Sequence, residues 1–298
     1  MLNNPKPEIM KKLYFLLAFA SILLFLSCNK DDNTSNNDPK LIIKLEVDPT
    51  QVRLGNTGTP ANIPAGNAGQ SPVFNSISAH YLEFTSNATT LLGDGAIVYQ
   101  APETDKGGAG AIDFNRSNVV APGDVFLEVS LKDITPGSYE WVRLSLSYQN
   151  YDVQFYFNDA PFTGTVASFV GFNNYLTEYT IKNETVTVNG NRSQGYWGFE
   201  TITGVQTGQA PEGATTVPNP LFTTSPIPQG SCVVTGNFDQ NLVITGNESE
   251  DITVTLSLSI NNSFEWVDVN QNGKWDVDPD SGENIVDMGL RGLVPSFQ

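Results

Sequence analysis

One histidine, two cysteines and a shortage of positive charge set the first limits on this chain of 298 residues. His80, Cys28 and Cys232 leave too few ligands for a zinc centre built on imidazole and thiolate, which draws four, or three with an open position. Only 15 Lys and Arg stand against 32 Asp and Glu, so the formal net charge is −17. Nucleic acid is therefore not an expected partner, because phosphate contact needs a face of Lys and Arg that displaces counterions. The same charge disfavours an anionic membrane face. Also missing are a Gly-x-Ser-x-Gly elbow, a His-Glu-x-x-His pair, a Walker loop and a Gly-x-Gly-x-x-Gly turn. What is present is 39% hydrophobic and 10% aromatic residue content with only 16% charged. That composition builds a core and lies outside the range of disordered chains.

The N-terminus carries the strongest local signal. Lys11 and Lys12 precede an apolar run, Leu13 to Leu26, broken only by Ser21 and followed by Ser27 and Cys28. At ~1.5 Å rise per residue the run reaches about 21 Å, short of the ~30 Å hydrocarbon layer, so it reads as the apolar region of a signal peptide. Phe25-Leu26-Ser27-Cys28 resembles a bacterial lipobox, with Phe where Leu is usual. Cys28-Asn29-Lys30-Asp31-Asp32 resembles the acidic export signal of surface lipoproteins of the Bacteroidota. The resemblance covers about thirty residues and concerns sorting, not activity. It implies removal of residues 1–27, acylation of Cys28, and a lipid-anchored, surface-exposed place on the outer membrane; two or three chains at ~0.8 kcal/mol per buried methylene hold permanently where one does not. Residues 28–39 are polar and read as a flexible tether. With Cys28 acylated, Cys232 is expected to be a buried small hydrophobe.

From Leu41 onward the period is two. Ile252, Val254, Leu256, Leu258 and Ile260 alternate with Thr and Ser, and Val125, Leu127, Val129 and Leu131 alternate with Phe126, Glu128 and Ser130. Val142, Leu144, Leu146 and Tyr148 are expected to face away from Trp141, Arg143, Ser145 and Ser147, as in half-buried antiparallel strands. Tyr151 to Phe157 reads as a further strand. Pro136-Gly137, Asn189-Gly190, Pro122-Gly123 and Gly236-Asn237 read as breakers between strands. The fold expected is all-β, an antiparallel sandwich over residues 40–298. Five prolines between Gly204 and Gly230 suit a surface crossing and not a central strand, which leaves one elaborated sandwich and two β modules both open.

The sharpest motif in the body is Asp268-Val-Asn270-Gln-Asn272-Gly273-Lys274-Trp275-Asp276, followed by Asp278, Asp280 and Glu283. Oxygen donors at alternate positions before a turn glycine, with a backbone carbonyl at the seventh position, are what a hard cation requires. Pro279 stands at the twelfth position and a strand precedes the loop, so this is not an EF-hand. It resembles the DxNxNGxWD…GE calcium-type loops of extracellular bacterial β proteins, which implies a structural calcium ion held by Asp268, Asn270, Asn272, the Lys274 carbonyl, Asp276 and a later acid such as Glu283 or Asp287. An Asp/Asn-rich turn that binds nothing has the same composition, and both readings stand at this point.

Tyr196, Trp197 and Phe199 lie among glycines and form either a stacking platform for a glycan or part of the core. His80 alternates with Leu82 and Phe84 and reads as a satisfied strand histidine rather than a general base. The whole chain is expected to be a non-enzymatic, lipid-anchored binding or scaffold protein of the cell surface, with a glycan or an outer-membrane protein as partner. The alternatives are a polysaccharide hydrolase with paired carboxylates, whose ~5–10 Å separation is spatial and unreadable in sequence, and a structural adhesin.

Overall fold

The computed structural model describes residues 38–54, 60–210, 226, 231–288 and 290–298. Cys28, the leader before it and the tether up to residue 37 lie outside the described residues, as does most of the proline-rich segment. In chain order the strands are β1 (Lys40–Asp48), β2 (Asn67–Gln70), β3 (Val73–Thr85), β4 (Ala96–Gln100), β5 (Glu103–Thr104), β6 (Ala111–Asp113) and β7 (Val119–Val120). There follow β8 (Val125–Ser130), β9 (Gly137–Phe157), β10 (Ala160–Phe169), β11 (Asn174–Thr180), β12 (Thr185–Arg192) and β13 (Tyr196–Thr201). The last are β14 (Gly204–Gln209), β15 (Cys232–Ile244), β16 (Ile252–Ser259), β17 (Phe264–Val267), β18 (Ile285–Asp287) and β19 (Arg291–Phe297). The fold is all-β and sandwich-like, with no α-helix among the described residues.

A central sheet runs β14-β13-β10-β9-β3-β4, with β15 also paired to β9 and β7 to β3. Three smaller sheets flank it: β19-β16-β1-β8, β12-β11-β6-β5 and β18-β17-β2. Each flanking sheet closes its own apolar cluster. Leu41, Ile43 and Leu45 of β1 and Val254, Leu256 and Leu258 of β16 pack with Leu144 and Leu146 of β9 and Leu82 and Phe84 of β3. Leu176 and Tyr179 of β11 pack with Tyr148, Phe169 and Tyr196. Phe264, Trp266 and Trp275 pack with Tyr151, Val153 and Phe155. Burial of each such large side chain contributes about 1.5–3 kcal/mol.

Two expectations about pairing are corrected. The sandwich is not wholly antiparallel: β1 runs parallel to β16, Leu41 beside Ile252 through Asp48 beside Ser259, and β11 runs parallel to β6. Alternation reports which face is apolar and carries no information on strand direction. Four dipeptides were expected to break strands, but Asn189-Gly190 lies inside β12 and Gly236-Asn237 inside β15. Asn189 adopts a φ of 49° where the β11–β12 register slips, so the pair makes a bulge. A two-residue turn of the kind that suits hairpin twist is found instead between β9 and β10, at Asn158-Asp159, with φ of 50° and 61°.

The proline-rich crossing also starts later than expected, since Gly204–Gln209 forms β14 against β13. Asp38–Gln298 is one compact unit. At the other end Asp38 and Pro39 belong to the body and not to the tether: the Pro39 carbonyl accepts the Leu131 N–H at 2.9 Å, and Lys132 pairs with Asp38.

The strand β9 departs most from its alternation. It is one strand of 21 residues, not two. One edge pairs with β3; the other pairs first with β15 and then with β10. At the junction Ser147 is an extra residue: Ser78 sits opposite Tyr148, and the next partner of β3, Ala79, sits opposite Leu146. Both Val170 and Gly171 donate their N–H groups to the Ser147 carbonyl, at 3.0 and 3.2 Å. Leu146 and Tyr148 therefore enter different cores. The polar residues Arg143, Ser145 and Ser147, expected to face solvent, are buried as well.

Gly171 makes the junction possible. A Cβ there would lie 2.7 Å from the Ser147 Cα and 2.8 Å from the Leu146 carbonyl oxygen, both backbone atoms. Gly171→Ala is expected to destabilise the protein by about 1–3 kcal/mol in urea unfolding, whereas Gly110→Ala, where a Cβ meets nothing within 4 Å, stays within about 0.5 kcal/mol of the parent. Equal midpoints for the two variants would contradict the role given to this contact.

Candidate metal centre

Strand β17 delivers Asp268 to the start of the loop, and the loop closes on itself through short-range bonds. The Asp268 carboxylate accepts the N–H groups of Asn272 at 3.1 Å and Gly273 at 3.0 Å. Asn272 Oδ1 accepts the Lys274 N–H at 2.8 Å. Positive φ at Gln271, 53°, and Gly273, 71°, bends the backbone tightly enough for these bonds. Asn270 and Asn272 both donate their amide N–H to Asp276 Oδ2, at 3.1 and 2.9 Å. Glu283 returns to the loop from the far side: Oε2 accepts the Asp276 N–H at 2.7 Å and Oε1 the Val269 N–H at 3.1 Å.

All five side chains singled out from the motif thus belong to one bonded network. Glu283 is the later acid that joins it. The Lys274 carbonyl, the donor expected at the seventh position, accepts the Trp266 indole N–H at 2.9 Å. The carboxylate and amide oxygens of the loop are the ligand type a hard cation takes, and the amide nitrogens of Asn270 and Asn272 are turned toward Asp276. In the present arrangement the oxygen lone pairs are taken by N–H groups. Among the described residues no group of three or more His, Cys, Asp or Glu side chains is placed to hold a metal ion.

The loop is also fastened to the tip of the β9–β10 hairpin, which the motif alone did not reveal. Tyr156 N–H donates to the Trp275 carbonyl at 2.8 Å and Val277 N–H to the Tyr156 carbonyl at 2.9 Å. Asp278 accepts the Asn158 N–H at 3.1 Å. Lys274 Nζ lies 5.0 Å above the Tyr156 ring and 3.4 Å from Asp159. Trp275 is buried against Phe264 at 4.9 Å between ring centres, with Phe155 and Phe199 nearby.

The three rings considered as a platform are not brought together. Tyr196 is buried against Phe169, and its hydroxyl accepts the Tyr179 O–H at 3.3 Å. Trp197 lies over Gly208 of β14, where a Cβ would meet its ring at 2.4 Å. Phe199 is half-buried beside Trp275 and Phe155. Successive positions of one strand point to opposite faces, so Tyr196 cannot share a surface with Trp197 and Phe199.

His80 is fully buried, and its Nε2–H donates to Glu103 Oε1 at 2.9 Å. The bond ties the central sheet to β5 of a flanking sheet. No protein-family model, no curated protein sequence and no solved structure matches this chain.

The His80 bond holds the Glu103 carboxyl below its ordinary value. A lowered folded-state value means that the contribution is complete above the unfolded value, about 4.5, and is lost as pH falls through the folded one. Glu103→Gln is expected to lower stability at pH 7 and to flatten the decline below about pH 4.5. Urea midpoints from pH 3 to pH 7 check this; parallel acid limbs in parent and variant would contradict it.

Proposed function

We propose that this chain is a non-enzymatic, lipid-anchored protein of the bacterial cell surface that binds or scaffolds, with a body stiffened by calcium. The anchor rests on the lipobox-like Phe25-Leu26-Ser27-Cys28 and the acidic residues behind it. Its acyl groups bind the membrane, and the partner on the outer side is a glycan or an outer-membrane protein. The acidic excess suits solubility in that setting.

The observation that carries the calcium part is the closure of Asp268, Asn270, Asn272, Asp276 and Glu283 into one oxygen-lined loop clipped to the hairpin tip. Three of these groups are carboxylates, and Asp276 and Glu283 are nearly buried, at 7% and 9% exposure. Their mutual repulsion gives a divalent ion a reason to bind. Bound calcium would fix the loop and, through Tyr156 and Asn158, the far end of the longest strand.

Two measurements test the reading. Chelation is expected to lower Tm by about 5–10 °C, the shift for an ion at ~100 times its Kd in a domain of this size, and Asp268→Ala to remove that sensitivity. An unchanged Tm on chelation would remove calcium from the account. Cys28→Ala is expected to move the protein from the membrane fraction to the soluble fraction, and retention in the membrane would remove the lipid anchor.

A further inference from the structure

A cleft of about 490 Å³ opens between the central sheet and the β12-β11-β6-β5 sheet, within the size range of small-molecule sites. Its floor comes from neighbouring strands. Asn150 of β9, 3% exposed, accepts the Asn75 amide N–H of β3 at 2.9 Å and donates to the Ile181 carbonyl at 2.7 Å and the Tyr148 hydroxyl at 3.2 Å. Asn75 also donates to Asp152 at 3.2 Å, and Asp152 pairs with Lys182 at 2.7 Å and accepts the Thr165 O–H at 2.6 Å.

One wall is the ring of Phe114, half-buried and held 4.9 Å from Tyr148 and 5.1 Å from Phe169. The opposite rim is the turn that carries Lys182, and it is fixed from below. The Glu200 carboxylate accepts the N–H groups of Lys182, Asn183 and Glu184 at 2.8, 3.0 and 3.1 Å. A site whose parts are held by bonds made before the ligand arrives loses little freedom on binding.

The lining selects the ligand. Lys182 and Asp152 already neutralise each other, so an anion would have to displace Asp152 and a cation Lys182. A wholly apolar ligand would strip water from Asn75 and Lys182 and return no hydrogen bond. A molecule with a flat C–H face and an edge of hydroxyl groups satisfies both walls. We propose that this cleft binds a neutral sugar unit, with its C–H face on Phe114 and its hydroxyls on Asn75, Ser76 and Lys182. Asn150 and Glu200 act as positioning residues.

The proposal rests on the binding-protein reading given above and names its ligand class and site. The test is binding of a panel of neutral and anionic oligosaccharides to the full chain in detergent, followed by calorimetry on the tightest neutral one. Asn75→Ala and Lys182→Ala are each expected to weaken that binding at least tenfold while the protein keeps a single cooperative melting transition, its Tm lowered by no more than the lost bonds to Asn150 and Asp152 account for, and Trp197→Ala to leave the binding unaltered. If neutral sugars bind but the two cleft variants bind as well as the parent, the cleft assignment falls and the binding-protein reading stands. If no neutral sugar binds at millimolar concentration, or anionic ones alone bind, the sugar assignment falls, while anchor and calcium are judged by their own measurements.

Discussion

The whole architecture depends on one strand being buried on both faces. β9 lends its edges to β3, β15 and β10, and its two faces to three apolar clusters. A regular strand of that length would send Leu146 and Tyr148 to the same side. The extra residue Ser147, with Gly171 packed on it, turns the alternation over, so one sheet can seat flanking sheets on either side. The chain gains a large core this way, and it buries polar groups on the reversed stretch. Among the described residues, Ser78 Oγ, Ser145 Oγ and Ser147 Oγ are buried without a hydrogen-bond partner. Each costs about 1–3 kcal/mol, a burden that only a core of this extent offsets.

Where the reversed face carries full charge, the surrounding backbone is arranged to receive it. Glu83 and Arg143 sit opposite each other on β3 and β9. Glu83 accepts the N–H groups of Gly93 and Gly95 at 3.1 and 2.6 Å, and Arg143 donates to the carbonyl of Thr90. A buried ion pair of this sort adds little net stability over an apolar pair, but loss of one member leaves a bare charge. The segment from Ala88 to Gly95 is thereby held in one conformation by two side chains. At the opposite end of β9 the acidic loop holds the hairpin tip. Both ends of the strand are thus fixed by carboxylates that accept backbone N–H groups.

Legibility in sequence followed the range of the interactions. β16 was readable because one face is apolar and the other carries Thr and Ser, whereas in β8 the register shift opposite Ile43 and Lys44 turns Phe126 into the core and leaves Val125 exposed, against the expected faces. β9 reads in sequence as two strands, the first with a solvent face, because the burial of Ser145 and Ser147 and the continuity through Gln149 and Asn150 depend on strands far away in the chain. β14 was missed because Gly204, Thr207, Gly208 and Gln209 have no apolar alternation; it is held by the β13 backbone. The network from Asp268 to Asp276 was legible because its bonds span two to six residues. The partners Tyr156, Asn158 and Trp266 were not, since their places follow from tertiary packing and no local spacing encodes them.

The aromatic run shows the same limit from another side. Three rings within four residues suggest a surface, yet a strand period of two divides Tyr196 from Trp197 and Phe199 whatever the rings would bind. In an all-β protein a continuous face can be drawn only from alternate residues of one strand or from side-by-side residues of neighbouring strands. Asn75 and Asn150 meet in the second way, from β3 and β9, with Lys182 added by a turn of the sheet above. They lie 75 and 32 positions apart in pairs along the chain, so no motif could announce them. The register shift between Phe74 and Ser76 brings Asn75 onto Asn150, and a strand paired regularly at that point would carry the amide to the other face. Recognition surfaces in such a fold therefore follow from register and bulges, which long-range pairing decides.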